Sequence, residues 1–206
     1  MRIDPSAVSA RDMYQLLISL VTPRPIAWVS SISADGVTNL APFSFFNAVT
    51  ANPPTVLFSV ANTRDGRKKD TLLNVEAVPE FVVNLCSYDT REVMNDTSAE
   101  LDYGVSEFNT FGLTPVPSET ILPPRVAESK VQLECVVTQI VRVGEGSLAG
   151  NVVFGTVQRI HANDDIFDST GAVDPRKLDT IGRLGGSGYT RTTDLFFLPR
   201  PTRTGR

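Results

Sequence analysis

Two long runs that alternate between apolar and polar residues, Val126 to Val143 and Asn151 to His161, are joined only by Gly144-Glu-Gly146 and a few residues up to Gly150. Alternation at a period of two marks strands with one buried face. So short a connection permits a hairpin but not the crossover that parallel strands require. The same punctuation recurs earlier. Ala34-Asp35-Gly36 follows the alternating run Ile26 to Ser33, and Asn52-Pro53-Pro54 precedes the β-prone run Thr55 to Ala61. Glu80 to Ser87 and Leu195 to Leu198 read as two further strands. With about six or seven strands and mostly short turns, the sheet should be antiparallel, and closing it into a barrel would remove its edges. The expected class is mainly β, a barrel with short peripheral helices.

Those helices are few. Ser9 to Leu20 carries a capping Ser9, Asp12 near the positive end, and an apolar stripe of Met13, Leu16, Leu17 and Leu20. Thr22-Pro23-Arg24-Pro25 stops it. A polar loop, Asn62 to Thr71, opens a helix that runs to about Ala77, with Asp70 or Thr71 as its cap. Asp89-Thr-Arg-Glu92 has the pattern of a capping box ahead of Val93 and Met94. Residues 98 to 125 are irregular apart from a short helical piece around Ser106 to Phe111.

Composition excludes several classes of function. At 206 residues the chain suits one domain, 1–206. A formal charge of −4 argues against a nucleic-acid partner, whose phosphates call for concentrated Lys and Arg. No apolar run approaches the about 18 residues that span a bilayer, and the N-terminus, with Asp4 and Pro5, is no secretory signal. Cys86 and Cys135 each lie in an apolar run and read as buried thiols in a reducing compartment, so the cytoplasm is the expected location. Two isolated cysteines and one histidine offer no metal site. No G-x-G-x-x-G follows a strand, which removes the usual Rossmann route to a nicotinamide cofactor.

Chemistry concentrates in a few stretches. In Asn39-Leu-Ala-Pro-Phe-Ser-Phe-Phe-Asn47, alternation puts Leu40, Ser44 and Phe46 on one side and Asn39, Phe43 and Phe45 on the other. Pro42 cannot donate to a ladder, so the backbone here sits at an edge or leaves the sheet. Three phenylalanines beside Ser44 and Asn47 make either an ordinary core strand or an apolar wall for a flat, partly polar ligand; residue types alone favour the first. The loop Arg64 to Thr71 gathers Arg64, Arg67, Lys68 and Lys69 just before a helix N-terminus, a setting for a phosphate monoester or simply a solvated basic loop diluted by Asp65 and Asp70. His161 is either an ordinary strand histidine or a group that switches with pH or steers a hydride. Gly185-Gly186-Ser187-Gly188-Tyr189, with Arg183 beside it, is a loop or a place where backbone approaches a ligand.

Taken in order, Thr22-Pro-Arg-Pro-Ile-Ala-Trp-Val-Ser-Ser31, Asp35-Gly36, Asn39 to Asn47, Asn52-Pro-Pro-Thr-Val56, Arg64-Asp-Gly66 with Lys69-Asp-Thr71, Glu80-Phe-Val-Val-Asn-Leu85, and Arg183-Leu-Gly-Gly186 with Tyr189 resemble the flavin reductase-like FMN-binding split-barrel family, of the flavoredoxin and nitrilotriacetate-monooxygenase component B type. The resemblance covers about residues 18 to 201. It implies a six-stranded antiparallel split barrel of Greek-key order, a homodimer, and one FMN per subunit. It implies an isoalloxazine ring along the Ala41 to Asn47 backbone, with Ser44, Phe45, Phe46 and Thr50 among the cofactor-binding residues. The phosphate is then held near Lys69, Asp70 and Thr71, with Arg64 also cofactor-binding, and Arg24, Pro25 and Trp28 flank the same groove. The aromatic wall and the anion site become two ends of one FMN.

The implied chemistry is hydride transfer from NAD(P)H to flavin, supplying reduced flavin or electrons to a partner oxygenase or other acceptor, with His161, Arg183, Gly186 and Tyr189 on the substrate side. Such a step asks little of side chains, so no acid–base residue is named. Many flavin reductases of this family carry Gly-Asp-His after the long strand; here the region reads Gly150-Asn151-Val152. That departure bears on NAD(P)H oxidation more than on FMN binding. The alternatives are a flavoredoxin-like electron carrier without NAD(P)H oxidase activity and, further off, a split barrel that has lost flavin.

Overall fold

The computed structural model describes residues 1–201; the last five positions of the 1–206 domain expectation lie outside them. The chain enters through α1 (Ala10–Leu20), β1 (Arg24–Pro25), β2 (Ala27–Ile32), β3 (Thr38–Phe43), β4 (Phe46–Ala51) and β5 (Pro54–Ala61). It continues through α2 (Asp70–Ala77), β6 (Glu80–Leu85), α3 (Arg91–Asp96), α4 (Glu107–Phe111), β7 (Pro115–Val116) and β8 (Arg125–Val126). The long hairpin β9 (Val131–Val143) and β10 (Gly150–Ala162) follows, then α5 (Pro175–Leu178), β11 (Ile181–Arg183) and β12 (Tyr189–Arg191).

Among the described residues the main sheet has seven antiparallel strands in the order β3-β2-β6-β9-β10-β5-β4. This corrects the expected closed barrel of six. The Phe-rich stretch is not one strand: it breaks at Ser44-Phe45, and its two halves join opposite edges of the sheet. Only two residues separate β3 from β4, so the edges must approach each other there, which gives a curled, split-barrel-like sheet. Pro42 indeed occupies an edge strand, opposite Trp28.

β2 shows why the sheet is covered on both sides. Ala27 and Val29 point into a core with Phe43, Phe58, Phe81 and Val153, while Trp28 points the other way, against Leu40, Met94, Phe108 and Val126. In the first core, strand β10 presses so close to Phe81 that a Cβ at Gly155 would overlap its ring, so a side chain is excluded there.

Several local expectations shift. Ser9 caps α1 by accepting from Asp12 N (3.1 Å), but Ile18 is the buried residue of that helix, and Leu17 and Leu20 of the expected stripe stand exposed. The capping pair before α3 forms two residues early, where Thr90 Oγ1 accepts from Ser87 N (3.2 Å). The last strand is Tyr189–Arg191, which finds a partner in β11; Leu195 to Leu198 has no ladder, and Phe196, Phe197 and Leu198 project into solvent.

Candidate functional site

The loop before α2 is a tight turn. Thr63 N donates to Arg67 O (2.9 Å), and Gly66 takes a left-handed φ of 85°. Lys69, rather than Asp70 or Thr71, is the cap residue of α2, and no side chain caps the helix. Leu72 N in the first turn already donates to Lys69 O (2.9 Å), so it is the N–H groups ahead of it, at the positive end of the dipole, that are left for an external acceptor. Two of the four loop cations are already paired, Arg67 with Asp65 (2.6 Å) and Lys68 with Glu76 (2.5 Å). Among the described residues Lys69 and Arg64 make no ion pair.

This helix start borders a cavity of about 440 Å³, a size usual for a small-molecule site. Asn39, Ala41, Pro42 and Phe43 of β3 form one wall, Arg67 to Thr71 a second, and the segment Thr97 to Tyr103 with Glu107 a third. Its floor is polar. Asn39, 7 % exposed, donates through Nδ2 to Thr71 Oγ1 (3.0 Å). Glu107, 5 % exposed, accepts from Leu40 N at Oε2 (2.8 Å). Burial raises the Glu107 carboxyl above the ordinary range, and the nearby charge of Asp70 adds to this. Asp70 is itself raised by burial. One rim is thus cationic, with an open helix end and Asp70 set within it, while a different wall holds the Glu107 carboxyl; burial raises both acids.

Of the expected cofactor-binding residues, the cavity brings together Ala41, Lys69, Asp70 and Thr71. Trp28 stands behind it: the indole is fully buried and donates to Thr97 Oγ1 (2.9 Å), bracing the wall from outside. Arg24 is a buried keystone. Its Nη1 donates to the carbonyls of Ile18 and Val21 (2.7 Å for the latter) at the end of α1, Nη2 to Leu184 O (3.1 Å), and Nε to Ser44 Oγ (3.3 Å). Pro25 lies on β1, opposite Gly182. The aromatic wall divides: Phe43 borders the cavity, Phe46 packs on the core, and exposed Phe45 leans on Tyr14, with ring centres 6.3 Å apart. Asn47 and Thr50 lie on β4, and Arg64 is exposed at the loop; none of the three lines the cavity.

The expected substrate-side residues fall elsewhere. His161 lines a separate cavity of about 520 Å³ with Arg125 and Gln132, sharing no lining residue with the first. Its Nε2 lies 2.7 Å from Oε1 of the wholly buried Glu134. Burial alone would raise Glu134, but hydrogen bonds from the Thr120 hydroxyl, from Glu119 N and Thr120 N, and from His161 hold it down at about 2. The Arg183 guanidinium lies over the Tyr189 ring (4.4 Å), and the Tyr189 hydroxyl bonds Asn95 Oδ1 (3.0 Å). Gly186 makes the turn between them with a φ of 58°.

Sequence reasoning missed Glu107 and the segment Thr97 to Tyr103 as parts of the site. The only local signal was the short helix that Glu107 begins. Its approach to β3, 67 positions earlier in the chain, leaves no trace in local pattern.

The model of the flavin reductase like domain matches residues 19–182. The structure is similar to that of nitrilotriacetate monooxygenase component B from Bacillus cereus, with a TM-score of 0.91 and 36% identity, covering 96% of this chain and 98% of that one. It is also similar to the 2-nitrobenzoate 2-nitroreductase NbaA of Pseudomonas fluorescens, with a TM-score of 0.87 and 31% identity over 100% and 99% of the two chains. A split barrel domain protein from Shewanella frigidimarina NCIMB 400 shares the fold at 22% identity, with a TM-score of 0.82 over 98% and 100%.

Proposed function

The chain belongs to the flavin reductase like domain family, and from that premise we propose that it is an FMN-binding oxidoreductase that takes electrons from NAD(P)H and passes them, on reduced flavin or directly, to a partner oxygenase or other acceptor. The observation that carries the reading is the cavity at the uncapped start of α2, where Lys69, the helix N–H groups and Thr71 meet the β3 backbone at Ala41 to Phe43.

In this reading Lys69 and the first N–H groups of α2 hold the phosphate, and the Thr71 hydroxyl adds a donor. The ring lies along Ala41 to Phe43. When bound, FMN supplies the hydride-accepting centre. The protein orients it and keeps water off one face through β3 and the Thr97 to Tyr103 wall, which Trp28 stiffens from behind. The family is flavin-binding, and the single anion-holding end favours FMN over a dinucleotide. The two cysteines are free and buried, which supports a reducing, cytoplasmic setting.

We also propose a homodimer. Tyr14 and Leu17 lie along one exposed face of α1, and Val21 just past its end and Phe45 continue it. Covering this face with a second copy would bury apolar surface that otherwise meets water.

A second reading, an electron carrier with little NAD(P)H oxidation, is favoured by one observation. Where many relatives carry the histidine of Gly-Asp-His, this chain has Val152; the neighbouring Asn151 is buried and bonded to Val60 O (3.0 Å) and Asn62 Oδ1 (2.9 Å). The absorbance of the purified protein before and after FMN addition tests the flavin reading; no flavin bands under either condition would sink it. Anaerobic mixing with NADH and NADPH separates the two readings: bleaching by either donor supports the reductase, and none with both leaves the carrier.

A further inference from the structure

Every polar side chain on the cavity floor keeps unused hydrogen-bonding capacity. Asn39 commits Nδ2 to Thr71 Oγ1, which leaves Asn39 Oδ1 and the Thr71 hydroxyl proton without partners among the described residues. Glu107 commits Oε2 to Leu40 N and leaves Oε1 unmatched. No cation forms an ion pair with Glu107 among the described residues. Glu107 Oε1 is not one of the fully buried polar atoms left without a partner among the described residues, so it is open to the cavity, where a hydroxyl from outside the chain can reach it. Glu134, as deeply buried in this same protein, receives four donors. The difference marks Glu107 as a group whose remaining partner comes from outside the chain.

We infer that Glu107 is a ligand-contacting, specificity-setting residue: its free carboxyl oxygen accepts a hydrogen bond from a hydroxyl of the ligand's polyol chain, beside Asn39 and Thr71. This rests on the flavin reading and narrows it, because it makes the hydroxylated side chain of the flavin, and not only its ring and phosphate, a requirement for binding. The layout agrees. Lys69, Asn39, Thr71 and Glu107 all line the one cavity together with the β3 wall, so a cation, donors and acceptors meet in the same space. A polyol offers several hydroxyls, each able to donate and accept, and so matches a floor of mixed unused groups. A bare ring would leave all three unpaired, a loss that a site built for hydroxyls turns into discrimination.

The test compares FMN, riboflavin and lumiflavin, which lacks the polyol, by quenching of flavin fluorescence in the wild type, Glu107→Gln and Glu107→Asp. Glu107→Gln keeps an acceptor for Leu40 N, and Glu107→Asp keeps the charge but shortens its reach. Expected is a loss of about tenfold for FMN and riboflavin with each variant, the value of one hydrogen bond to a charged group, with lumiflavin affinity unchanged. Thermal unfolding without ligand should show Glu107→Gln at least as stable as the wild type, because a desolvated carboxylate has been removed. A purely structural Glu107 would give a less stable variant and an unchanged ratio of riboflavin to lumiflavin affinity; that unchanged ratio, in whichever variant folds, overturns the inference while leaving flavin binding intact. Wild-type protein that quenches none of the three flavins would overturn the flavin reading, and this inference with it.

Discussion

Glu134 and Glu107 are both buried glutamates beside cavities, and they have been treated by the fold in opposite ways. Around Glu134 the chain supplies a hydroxyl, two backbone N–H groups and an imidazole, with the Arg125 guanidinium 3.7 Å away. Its carboxylate is stabilised so strongly that it titrates at about 2. Around Glu107 the chain supplies only backbone N–H groups, from Leu40 and from Glu107 itself, and burial pushes the carboxyl upward. Equal burial therefore does not mean equal function. A saturated buried acid locks elements together, here the Glu119–Thr120 turn to β10 through His161, whereas an unsaturated one is tolerated for something that binds. By this measure the cavity at His161 is bordered by a saturated acid and the cavity at Lys69 by an unsaturated one, which is why the proposed site is placed at Lys69.

The largest test of the contrast is removal of the saturated acid. Glu134→Ala leaves three donors and a histidine facing an empty site, and should cost about 3–5 kcal/mol, as for a broken buried pair, read from the urea midpoint at constant m. A loss below about 1 kcal/mol would show that the network is ornamental and erase the distinction. The two acids should also tilt stability in opposite directions with pH. Glu134 is depressed, so its stabilisation is present above its unfolded value of about 4.3 and is lost as pH falls toward about 2. Glu107 is raised, so its ionised form is a cost at neutral pH; that cost shrinks as pH falls below the folded value and is gone below the unfolded value of about 4.3. Glu107→Gln should accordingly raise Tm at pH 7 and match the wild type near pH 4, whereas Glu134→Gln should lower Tm at pH 7 and lose its deficit only in stronger acid.

Next in size is the cavity-lining loop cation that makes no ion pair among the described residues. Lys69→Ala should weaken FMN by about 1–3 kcal/mol, the range for a charge-assisted bond, with no change in unfolding, since Lys69 makes no ion pair among the described residues. Isothermal titration of variant and wild type decides this. Unchanged affinity would put the phosphate elsewhere than at the α2 start.

How much of this could be read from the chain follows the same division. The basic loop at Lys69, the helix it opens and the antiparallel hairpin of β9 and β10 are local patterns, and they appear where alternation, glycine and charge put them. The break at Ser44-Phe45 was not legible, because nothing local tells a continuous strand from one whose halves serve opposite sheet edges; it scattered the expected aromatic wall. Arg24 could not be assigned either: an Arg between two prolines looks exposed until the carbonyls at the end of α1 and Leu184 fold around it. Glu107 shows the limit most clearly, since its meaning depends on partners that are missing, and a missing partner has no sequence signature.

The smallest effect is expected at the neighbour of Lys69. Lys68 carries the same charge one residue earlier and lines the same cavity, so a reading from charge alone would rank the two equally. Its Nζ, however, is 2.5 Å from Glu76 Oε2, and Glu76 is also held by Arg142 at 3.0 Å. An approaching phosphate would have to compete with a carboxylate already in contact, so the net gain from Lys68 is small. Glu76 keeps its second cation when Lys68 is removed, and an exposed pair of this kind contributes at most about 0.2–1 kcal/mol to stability. Lys68→Ala should therefore shift FMN affinity by under about threefold and unfolding by under about 1 kcal/mol, well short of Lys69→Ala in the first measurement. If Lys68→Ala weakened FMN as much as Lys69→Ala, prior pairing would not be what separates binding cations from structural ones in this loop, and the inference drawn from Glu134 and Glu107 would lose its counterpart among the cations.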